Sequence, residues 1–388
     1  MKIVDVNEFY AERGGGVRTY VHAKLEAAAA RGHELCVIAP GPSAGEARLH
    51  GGRVRWVKGP PMPFDPRYYV LHREREVHRI IDEERPDVLE GSSPWTAGWF
   101  AARYPGPGAK ALVYHQDPVA VYPHTLFDRW VPPDTIDQVC LPYWRYVRRL
   151  AQRFDATVVA GQWLAERLRG FGVEHAFAVP FGIDRGQFSP SHFDEALRRE
   201  LLRQCGAPKT GVLLVSIGRY HPEKRLTQLI EAFGLLSRER PAGLVVFGDG
   251  PFRRWVVRAA ERTPGVHLAG FVSDRDYIAR AVASADVFLH GSAAETYGFV
   301  VAEAMCSGTP IVAPDRGGAF DLVEPSFSET YRTGDAEAAA SALERLLQRD
   351  RATLRLAAAN AADRVVQTTQ QHFDGLFELY QRLARASK

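Results

Sequence analysis

Residues 287–313 read VFLHGSAAETYGFVVAEAMCSGTPIVA, and this stretch contains the pattern that decides the fold. Two short apolar runs, Val287–Leu289 and Pro310–Ala313, flank a segment with helical periodicity at Phe299–Ser307. Short continuous apolar runs are typical of strands buried inside a parallel sheet, and parallel strands need a crossover connection, usually a helix. The stretch therefore predicts a strand–helix–strand unit of a parallel sheet.

The same alternation runs along the chain as two series, separated by chain breakers at residues 181–190. The remaining predicted strands are Lys2–Val6, Glu34–Ala39, Arg53–Val57, Asp87–Glu90, Lys110–Tyr114, Ala156–Ala160, Ala176–Pro180, Val212–Ile217, Gly243–Phe247 and Val266–Leu268. The remaining predicted helices are Val17–Arg31, Tyr68–Glu84, Pro94–Tyr104, Ile136–Phe154, Gln162–Phe171, Leu226–Arg238, Phe252–Arg262 and Arg275–Ser284. We therefore predict an α/β protein with two Rossmann-like, doubly wound parallel sheets in residues 1–184 and 185–369. A terminal helix over about 370–388 is expected to return to the first domain.

Composition excludes several classes of protein. Of 388 residues, 46% are hydrophobic and 24% charged, as in globular proteins. The net charge of +3 is too small for a general nucleic-acid coat. The four cysteines are far apart and form no CxxC pair, which argues against zinc ribbons and thioredoxin-type centres. Because no signal peptide or membrane-spanning apolar run is evident, a cytoplasmic protein is expected.

Ligands of open parallel sheets bind beyond the carboxyl ends of the strands, so candidate residues are sought there. Glu295 precedes a predicted helix and Glu303 lies in its second turn, in an almost wholly apolar setting. A buried carboxylate costs several kcal/mol unless it is hydrogen-bonded. Glu303 is therefore predicted to meet a ligand or, alternatively, an arginine of the same domain.

Cations and glycines occupy other strand ends. Arg219 and Lys224, after the first strand of the second domain, provide a planar fork and a compact charge that suit a diphosphate. The loop Gly14–Val17 lets a ligand approach the backbone and presents N–H groups at a helix start, an arrangement that favours an anion. His115 follows the strand Lys110–Tyr114 and is a further candidate.

Together these features resemble the retaining glycosyltransferases of family 4, which have the GT-B architecture of two Rossmann-like domains with an interdomain cleft. The resemblance extends over essentially the whole chain and is densest from Gly218 to Asp321. Its most specific part is the two-glutamate motif at 295–303 with the Glu-Ala-Met-Cys-Ser-Gly-Thr-Pro that continues it. The chain departs from the family at Asp321, where members often have Glu, and at residues 290–292, where they often have Pro-Ser. Both departures are expected to affect sugar specificity.

The resemblance implies four catalytic residues. Arg219 and Lys224 would grip the distal phosphate of a nucleotide-sugar, Glu295 would hold hydroxyls of the transferred sugar, and His115 would lie beside that sugar. Glu303 would bind the ribose hydroxyls. The full set of donor-binding residues implied in this way is Gly15, Gly16, Gly218, Gly298, Phe299, Val300 and Glu303.

The implied reaction is the retaining transfer of a hexosyl unit from a UDP-hexose or GDP-mannose to a hydroxyl of a glycan, lipid-linked or small-molecule acceptor. Because no Asp-x-Asp stands at a strand end, metal independence is expected, with no cofactor and no nucleic-acid partner. A nucleotide-sugar epimerase of GT-B architecture and a catalytically inactive nucleotide-sugar-binding protein are the alternatives.

Residues 127–153 carry aromatic side chains interleaved with arginines. Such a segment can lie on an anionic membrane surface, which predicts possible peripheral contact with the cytoplasmic face of a membrane. The alternative, which we prefer, is a helix with its aromatic side in the core of the first domain and its arginines in water.

Overall fold

The computed structural model describes residues 1–12, 15–63 and 65–387. Gly14 of the predicted glycine loop lies outside the described residues. Contacts divide the chain into two compact units. Unit 1 comprises Met1–His115, Cys140–Pro180 and Thr369–Lys388, and unit 2 comprises Gln116–Val139 and Phe181–Thr368. The predicted division assigns residues 116–139 to the first domain, whereas their contacts group them with unit 2.

The strands are numbered in chain order. They are β1 Lys2–Val6, β2 Glu34–Gly41, β3 Gly45–Leu49, β4 Gly52–Lys58, β5 Pro61–Met62, β6 Asp65–Tyr69, β7 Val88–Gly91, β8 Ala109–Val113, β9 Ala156–Val159, β10 Ala176–Ala178, β11 Gly182–Ile183, β12 Val212–Ile217, β13 Ala242–Phe247, β14 Val266–Gly270, β15 Val287–Leu289, β16 Ile311–Pro314, β17 Ser328–Tyr331 and β18 Gln367–Thr368.

The α-helices are numbered in the same way. They are α1 Gly16–Ala30, α2 Glu74–Glu84, α3 Thr96–Arg103, α4 Thr125–Phe127, α5 Pro133–Val139, α6 Leu141–Ala151, α7 Gln162–Gly170, α8 Glu195–Gln204, α9 Leu226–Glu239, α10 Arg253–Glu261, α11 Arg275–Ser284, α12 Phe299–Cys306, α13 Ala336–Leu347, α14 Arg351–Val365 and α15 Thr369–Ala386. A π-helical turn at Ala120–His124 and short 3₁₀ turns at Pro190–His192, Pro222–Lys224 and Phe320–Leu322 connect them.

Two predicted helices are wrong in part. The helix predicted from Tyr68 begins only at Glu74, because Asp65–Tyr69 pairs with β5 as an antiparallel strand. The single helix predicted over 136–154 is broken at Cys140, where Pro142 stands in the first turn of α6. Proline has no backbone N–H and would clash with the preceding turn, so a continuous helix cannot pass through it without a kink.

Unit 1 contains an eight-stranded sheet in the order β10-β9-β8-β7-β1-β2-β4-β3, as well as the two-stranded pair β5-β6. In the larger sheet only the edge strand β3 is antiparallel to its neighbour, β4. The order β4-β2-β1-β7-β8-β9 is the 3-2-1-4-5-6 order of a Rossmann fold. The C-terminal helix α15 belongs to this unit, where Phe373, Phe377 and Tyr380 are buried in a core shared with α1 and the strands.

A buried ionic cluster joins α1, β1, β7 and α15. Nζ of Lys24 lies 3.2 Å from Oδ2 of Asp5 and also contacts Glu90, and the Lys24 side chain has no exposed surface. The hydroxyl of Tyr380 donates a 2.6 Å hydrogen bond to Oε2 of Glu90. Burial, together with the neighbouring Glu90, raises the pKa of Asp5 to about 6. One lysine therefore stabilises two buried carboxylates.

Unit 2 contains a six-stranded sheet in the order β14-β13-β12-β15-β16-β17. Every neighbouring pair is parallel. This is again the 3-2-1-4-5-6 order, with the order reversing between β12 and β15. The prediction of two doubly wound parallel sheets is confirmed.

Asp128 fixes the segment 116–139 within unit 2. Its Oδ2 accepts hydrogen bonds of 2.6 Å from Arg225 and 2.7 Å from Arg316, and only 3% of its side chain is exposed. Arg225 has a left-handed backbone, with φ of 52°, and directly follows Lys224. Asp128 therefore holds in place the turn that carries Lys224.

Replacing Lys24 tests the buried cluster. Lys24→Met keeps most of the side-chain volume but leaves Asp5 and Glu90 buried without their cation, so we expect a loss of about 3–5 kcal/mol in stability. Urea unfolding followed by circular dichroism measures it. Arg79→Met, which removes an exposed pair with Glu83, is the matched control and should leave the midpoint nearly unchanged. Equal midpoints for the two variants would contradict this assignment.

Candidate functional site

The candidate site lies where the strand order of unit 2 reverses. β12 and β15 are neighbours, with Leu214 opposite Val287. The connections that leave such strands go to opposite faces of the sheet, so a crevice forms beyond their carboxyl ends, and ligands of open sheets bind there. The loops that follow these two strands, residues 218–225 and 290–298, therefore line the candidate site.

The side chains of Lys224 and Glu295 meet across this crevice. Nζ of Lys224 donates a hydrogen bond of 2.6 Å to Oε1 of Glu295, and 19% of each side chain is exposed. A Cβ atom on Gly291 would lie 2.5 Å from the carbonyl oxygen of Lys224, so only glycine allows the two loops to approach so closely. Two residues that the sequence singled out separately thus form one ion pair.

Attraction within this pair outweighs the effect of burial. Burial alone would raise the pKa of Glu295, but Lys224 and His290 bring that pKa below its ordinary value. Burial alone would lower the pKa of Lys224, but the attraction to Glu295 outweighs burial and leaves that pKa raised. His290 lies 4.0 Å from Oε1 of Glu295, and burial lowers the pKa of this histidine to about 4. At neutral pH the site therefore contains a cation, an anion and a neutral imidazole.

Close backbone packing sets the shape of the motif at 295–303. Gly298, with φ of 95°, precedes α12. The N–H of Gly318 donates a 2.6 Å hydrogen bond to the carbonyl oxygen of Glu295. A Cβ on Gly318 would lie 2.3 Å from the carbonyl carbon of Thr296. The loop after β16 therefore braces the loop after β15.

The first turn of α12 offers backbone donors. Phe299 and Val300 begin the helix, and the first N–H groups of a helix have no partner within it. The Phe299 side chain is exposed and stacks on Phe181 with ring centres 5.1 Å apart. The predicted donor-binding residues Gly298, Phe299 and Val300 are thus positioned to present N–H groups rather than side chains.

Glu303 is buried and pairs with an arginine of its own unit, the alternative considered from the sequence. Nη2 of Arg275, at the start of α11, donates a 2.5 Å hydrogen bond to Oε1 of Glu303. Oε2 of Glu303 is buried and has no hydrogen-bond partner among the described residues. Burial raises the pKa of Glu303, although Arg275 opposes the shift. One carboxylate oxygen therefore still lacks a donor.

Arg219 has a fixed backbone and an exposed side chain. Its neighbour Tyr220 receives a backbone hydrogen bond from Phe252 and donates one to Asp249, at 2.9 and 3.0 Å. Gly248 packs against the same loop, since a Cβ there would lie 2.0 Å from the carbonyl oxygen of Gly218. The Arg219 side chain forms no ion pair or hydrogen bond with residues in the described part of the chain.

The other predicted residues, Gly15, Gly16 and His115, belong to unit 1. An added Cβ on either glycine would meet no atom within 4 Å, so local packing does not require glycine there. His115 follows β8, and its ring lies 5.7 Å from that of Tyr20 in an edge contact. Burial lowers the pKa of His115 to about 3, so its imidazole is neutral at physiological pH.

Sequence reasoning missed three residues of the unit 2 site. His290 stands at a strand end, in the tripeptide that departs from the family pattern, and that position was its only signal. The sequence analysis considered an arginine partner for Glu303 but did not identify it as Arg275. Asp128 lies in a segment without periodicity, so nothing in the sequence pointed to its contact with the turn after β12.

Within residues 1–12, 15–63 and 65–387, no group of three or more His, Cys, Asp or Glu side chains is placed to hold a metal ion. The Asp-Arg-Asp at residues 274–276 caps a helix, because Oδ1 of Asp274 accepts hydrogen bonds from the N–H groups of Asp276 and Tyr277, each of 3.0 Å.

The buried side chains of α6 fit the preferred interpretation of this segment, a helix with its aromatic side in the core. Trp144 and Val147 are buried in unit 1, and Trp144 stacks on Phe171 at 4.3 Å. Exposed apolar side chains occur instead before α6, in unit 2, at Tyr122, Leu126, Phe127, Trp130 and Val139. None of the helices in the described ranges combines the length and hydropathy needed to span a bilayer.

The chain resembles known proteins over most of its length. A family model described as Glycosyl transferases group 1 matches residues 211–349, and one described as Glycosyltransferase Family 4 matches residues 14–187. A GDP-mannose-dependent alpha-mannosyltransferase of Mycobacterium tuberculosis (strain CDC 1551 / Oshkosh) is 31% identical, covering 86% of this chain and 83% of the relative.

A second relative, the GDP-mannose-dependent alpha-(1-6)-phosphatidylinositol dimannoside mannosyltransferase of Mycobacterium tuberculosis (strain ATCC 25177 / H37Ra), is 29% identical over 90% of this chain and 88% of its own. Among solved structures, sucrose-phosphate synthase from Thermosynechococcus elongatus matches with a TM-score of 0.75 and 20% identity, covering all of both chains. That likeness shows the fold, which is the GT-B architecture. The chain belongs to the family 4, or group 1, glycosyltransferases.

Proposed function

We propose that this enzyme transfers a mannosyl group from GDP-mannose to a hydroxyl of a lipid-linked acceptor, with retention of configuration and without a metal ion. The observation that carries the proposal is the Lys224–Glu295 pair at the strand reversal of unit 2. It brings a cation for a phosphate and a carboxylate for sugar hydroxyls within 2.6 Å of each other. A sugar diphosphate offers phosphate oxygens to the cation and hydroxyl groups to the carboxylate.

The names of the two mannosyltransferase relatives support the donor. Both are named as GDP-mannose-dependent, and the name of one includes phosphatidylinositol dimannoside. The sequence left UDP-hexoses and GDP-mannose open, so the choice of mannose rests on these relatives.

Arg219 and Lys224 are proposed to stabilise the leaving diphosphate. The acceptor hydroxyl attacks the anomeric carbon on the face from which the diphosphate departs. As the bond from that carbon to the phosphate oxygen breaks, the phosphate oxygen takes the acceptor's proton. Charge grows on the diphosphate in the transition state, and preorganised cations stabilise developing charge most effectively in a site that excludes water. The free Arg219 side chain is available to provide one of them.

Glu303 is proposed to receive the ribose. Its Oε2 is buried without a donor, and a ribose hydroxyl would supply the missing hydrogen bond. An unsatisfied buried carboxylate oxygen is costly, so the nucleotide would relieve a cost that the free protein carries. Arg275 would keep the carboxyl ionised and oriented.

Gly15, Gly16 and His115, which all belong to unit 1, are also proposed to bind the donor. The open space at both glycines would allow a phosphate to approach the start of α1. A neutral His115 would donate or accept a hydrogen bond with the sugar but would not act as a general acid.

The exposed apolar side chains of residues 122–139 are proposed to touch the membrane that holds the acceptor. Trp130 is 72% exposed and Leu126 is 56% exposed, and Arg129 between them adds a cation at the same surface. Apolar side chains beside a cation suit an interface with anionic lipid.

The activity itself is tested with labelled GDP-mannose and phosphatidylinositol-type acceptors in vesicles. We expect mannosylated lipid with an α linkage by NMR, unchanged turnover in EDTA, and GDP release only when acceptor is present. UDP-glucose and ADP-glucose are the control donors. A β linkage or a requirement for added Mn²⁺ would contradict the proposed chemistry, and GDP release without acceptor would favour the epimerase.

Substitution of the two cations tests their role. Arg219→Ala and Lys224→Ala should each lower kcat by about 10²–10³ with a smaller change in KM, because the lost interactions strengthen in the transition state. Lys209→Ala, an exposed lysine elsewhere in unit 2, is the control. Turnover at the level of the control in both variants would rule out the assignment.

Vesicle sedimentation tests the membrane surface. Leu126→Ser and Trp130→Ser should reduce binding to vesicles that contain phosphatidylinositol, since each removes apolar area from the contact. Leu356→Ser, which alters another exposed leucine in unit 2, should have no effect. If both variants bind vesicles as well as the unsubstituted protein does, the exposed side chains of residues 122–139 do not contact the membrane.

A further inference from the structure

A second polar cavity lies at the opposite end of the unit 2 sheet from the candidate site. It has a volume of about 260 Å³ and is lined by Gly211 and Val212, Val287 and Pro310, at the amino ends of β12, β15 and β16. Lys224 and Glu295 follow the carboxyl ends of the same strands. Six residues of strand span roughly 20 Å, so the two places are separate.

Four arginines line this cavity, which we call the arginine pocket: Arg198, Arg240, Arg349 and Arg351. The one carboxylate in its lining, Asp286, is already occupied. Its Oδ2 accepts a 2.8 Å hydrogen bond from the backbone N–H of Leu213 and lies 2.8 Å from Nη2 of Arg198, and its Oδ1 lies 3.0 Å from Nη1 of Arg351. Asp286 is therefore shared by two of the arginines, while Arg240 lies 2.7 Å from Glu344 and Arg349 lies 3.7 Å from Glu329, so four guanidinium groups face three carboxylates.

Donor atoms remain unused inside the pocket. Arg198 is 8% exposed, and its Nη1 has no hydrogen-bond partner among the described residues. Nε of Arg240 is likewise buried without a partner, although its Nη2 donates to Glu344 at 2.7 Å. Buried donors without acceptors cost free energy, and water or an anion has to supply the missing oxygen atoms.

The excess of positive charge extends beyond the lining. Arg355, one turn further along α14, donates hydrogen bonds to the carbonyl oxygens of Ala283 and Ala285 at 2.7 and 3.1 Å. Burial, with Arg351 and Arg198 nearby, lowers the pKa of Arg355 to about 10. Arg349 and Arg351 are partly exposed, at 33% and 43% of their side chains, so the pocket opens to solvent through them.

We propose that the arginine pocket binds a phosphate group, as inorganic phosphate or as a small phosphomonoester, at a site separate from the donor site. Guanidinium groups bind phosphate through paired, charge-assisted hydrogen bonds, and phosphate has oxygen atoms for several of them at once. A phosphate would accept from Nη1 of Arg198 and Nε of Arg240 and would offset the repulsion among the four arginines. It would thereby brace the strand ends and the start of α14.

Phosphate titration tests the pocket in two backgrounds in which the donor site does not compete. The first is the full chain saturated with GDP, and the second is the Arg219→Ala, Lys224→Ala double variant. Isothermal titration with inorganic phosphate and, separately, with mannose 6-phosphate at constant ionic strength should show one site in both backgrounds. Tighter binding of one of the two ligands identifies whether the free anion or the monoester is preferred.

Substitutions then locate the site. Arg240→Gln and Arg349→Gln should each weaken phosphate binding about tenfold or more, the usual effect of losing a charge-assisted hydrogen bond. Arg254→Gln, on the exposed face of α10, is the matched control. Because Arg240 and Arg349 are partly exposed, these variants are expected to fold, as circular dichroism would verify; if one does not, Arg351→Gln replaces it.

Absence of phosphate binding in both backgrounds would overturn the proposal. Unchanged phosphate affinity in the Arg240→Gln and Arg349→Gln variants would also overturn it. If GDP fails to bind but the double variant still binds phosphate through the pocket, the proposed donor chemistry fails while the arginine pocket stands.

Discussion

The ion pair between Lys224 and Glu295 is the constraint on which the rest of the site depends. Each residue follows a different strand, and the two strands are neighbours only because the sheet reverses its order between them. Neither charge would be stable alone at this depth, since a buried ion without its partner costs several kcal/mol. The sheet topology therefore makes the pair, and the pair keeps a cation and an anion ready at the place where open sheets bind ligands.

Much of the fold could be predicted from the sequence because buried parallel strands have a simple signature. Continuous apolar runs such as Val212–Ile217 identified the inner strands of both sheets correctly. Two edge strands, β3 and β17, were not predicted from the sequence, because they carry polar residues and pair on one side only. The break at Cys140 followed from Pro142, a signal available in the sequence, whereas the contacts of residues 116–139 with unit 2 arise from tertiary packing.

The candidate site was predictable where a motif fixes local geometry. Lys224 was named from its position at a strand end, and Glu295 and Glu303 were named from the helix motif that contains them. The structure brings Lys224 and Glu295 into contact. Residues that act through tertiary contacts had no such signal: Asp128 reaches the turn after β12 across 97 positions of sequence. The arginine pocket was invisible for the same reason, because its members come from loops and helices far apart in the chain.

A crystal structure of the protein with GDP-mannose, or with GDP and an acceptor analogue, would show whether the Lys224–Glu295 pair lies in the donor site. We expect a diphosphate within hydrogen-bond distance of Arg219 and Lys224, sugar hydroxyls at Glu295, and a ribose hydroxyl donating to Oε2 of Glu303. A nucleotide bound elsewhere, with the Lys224–Glu295 pair facing only water, would contradict it.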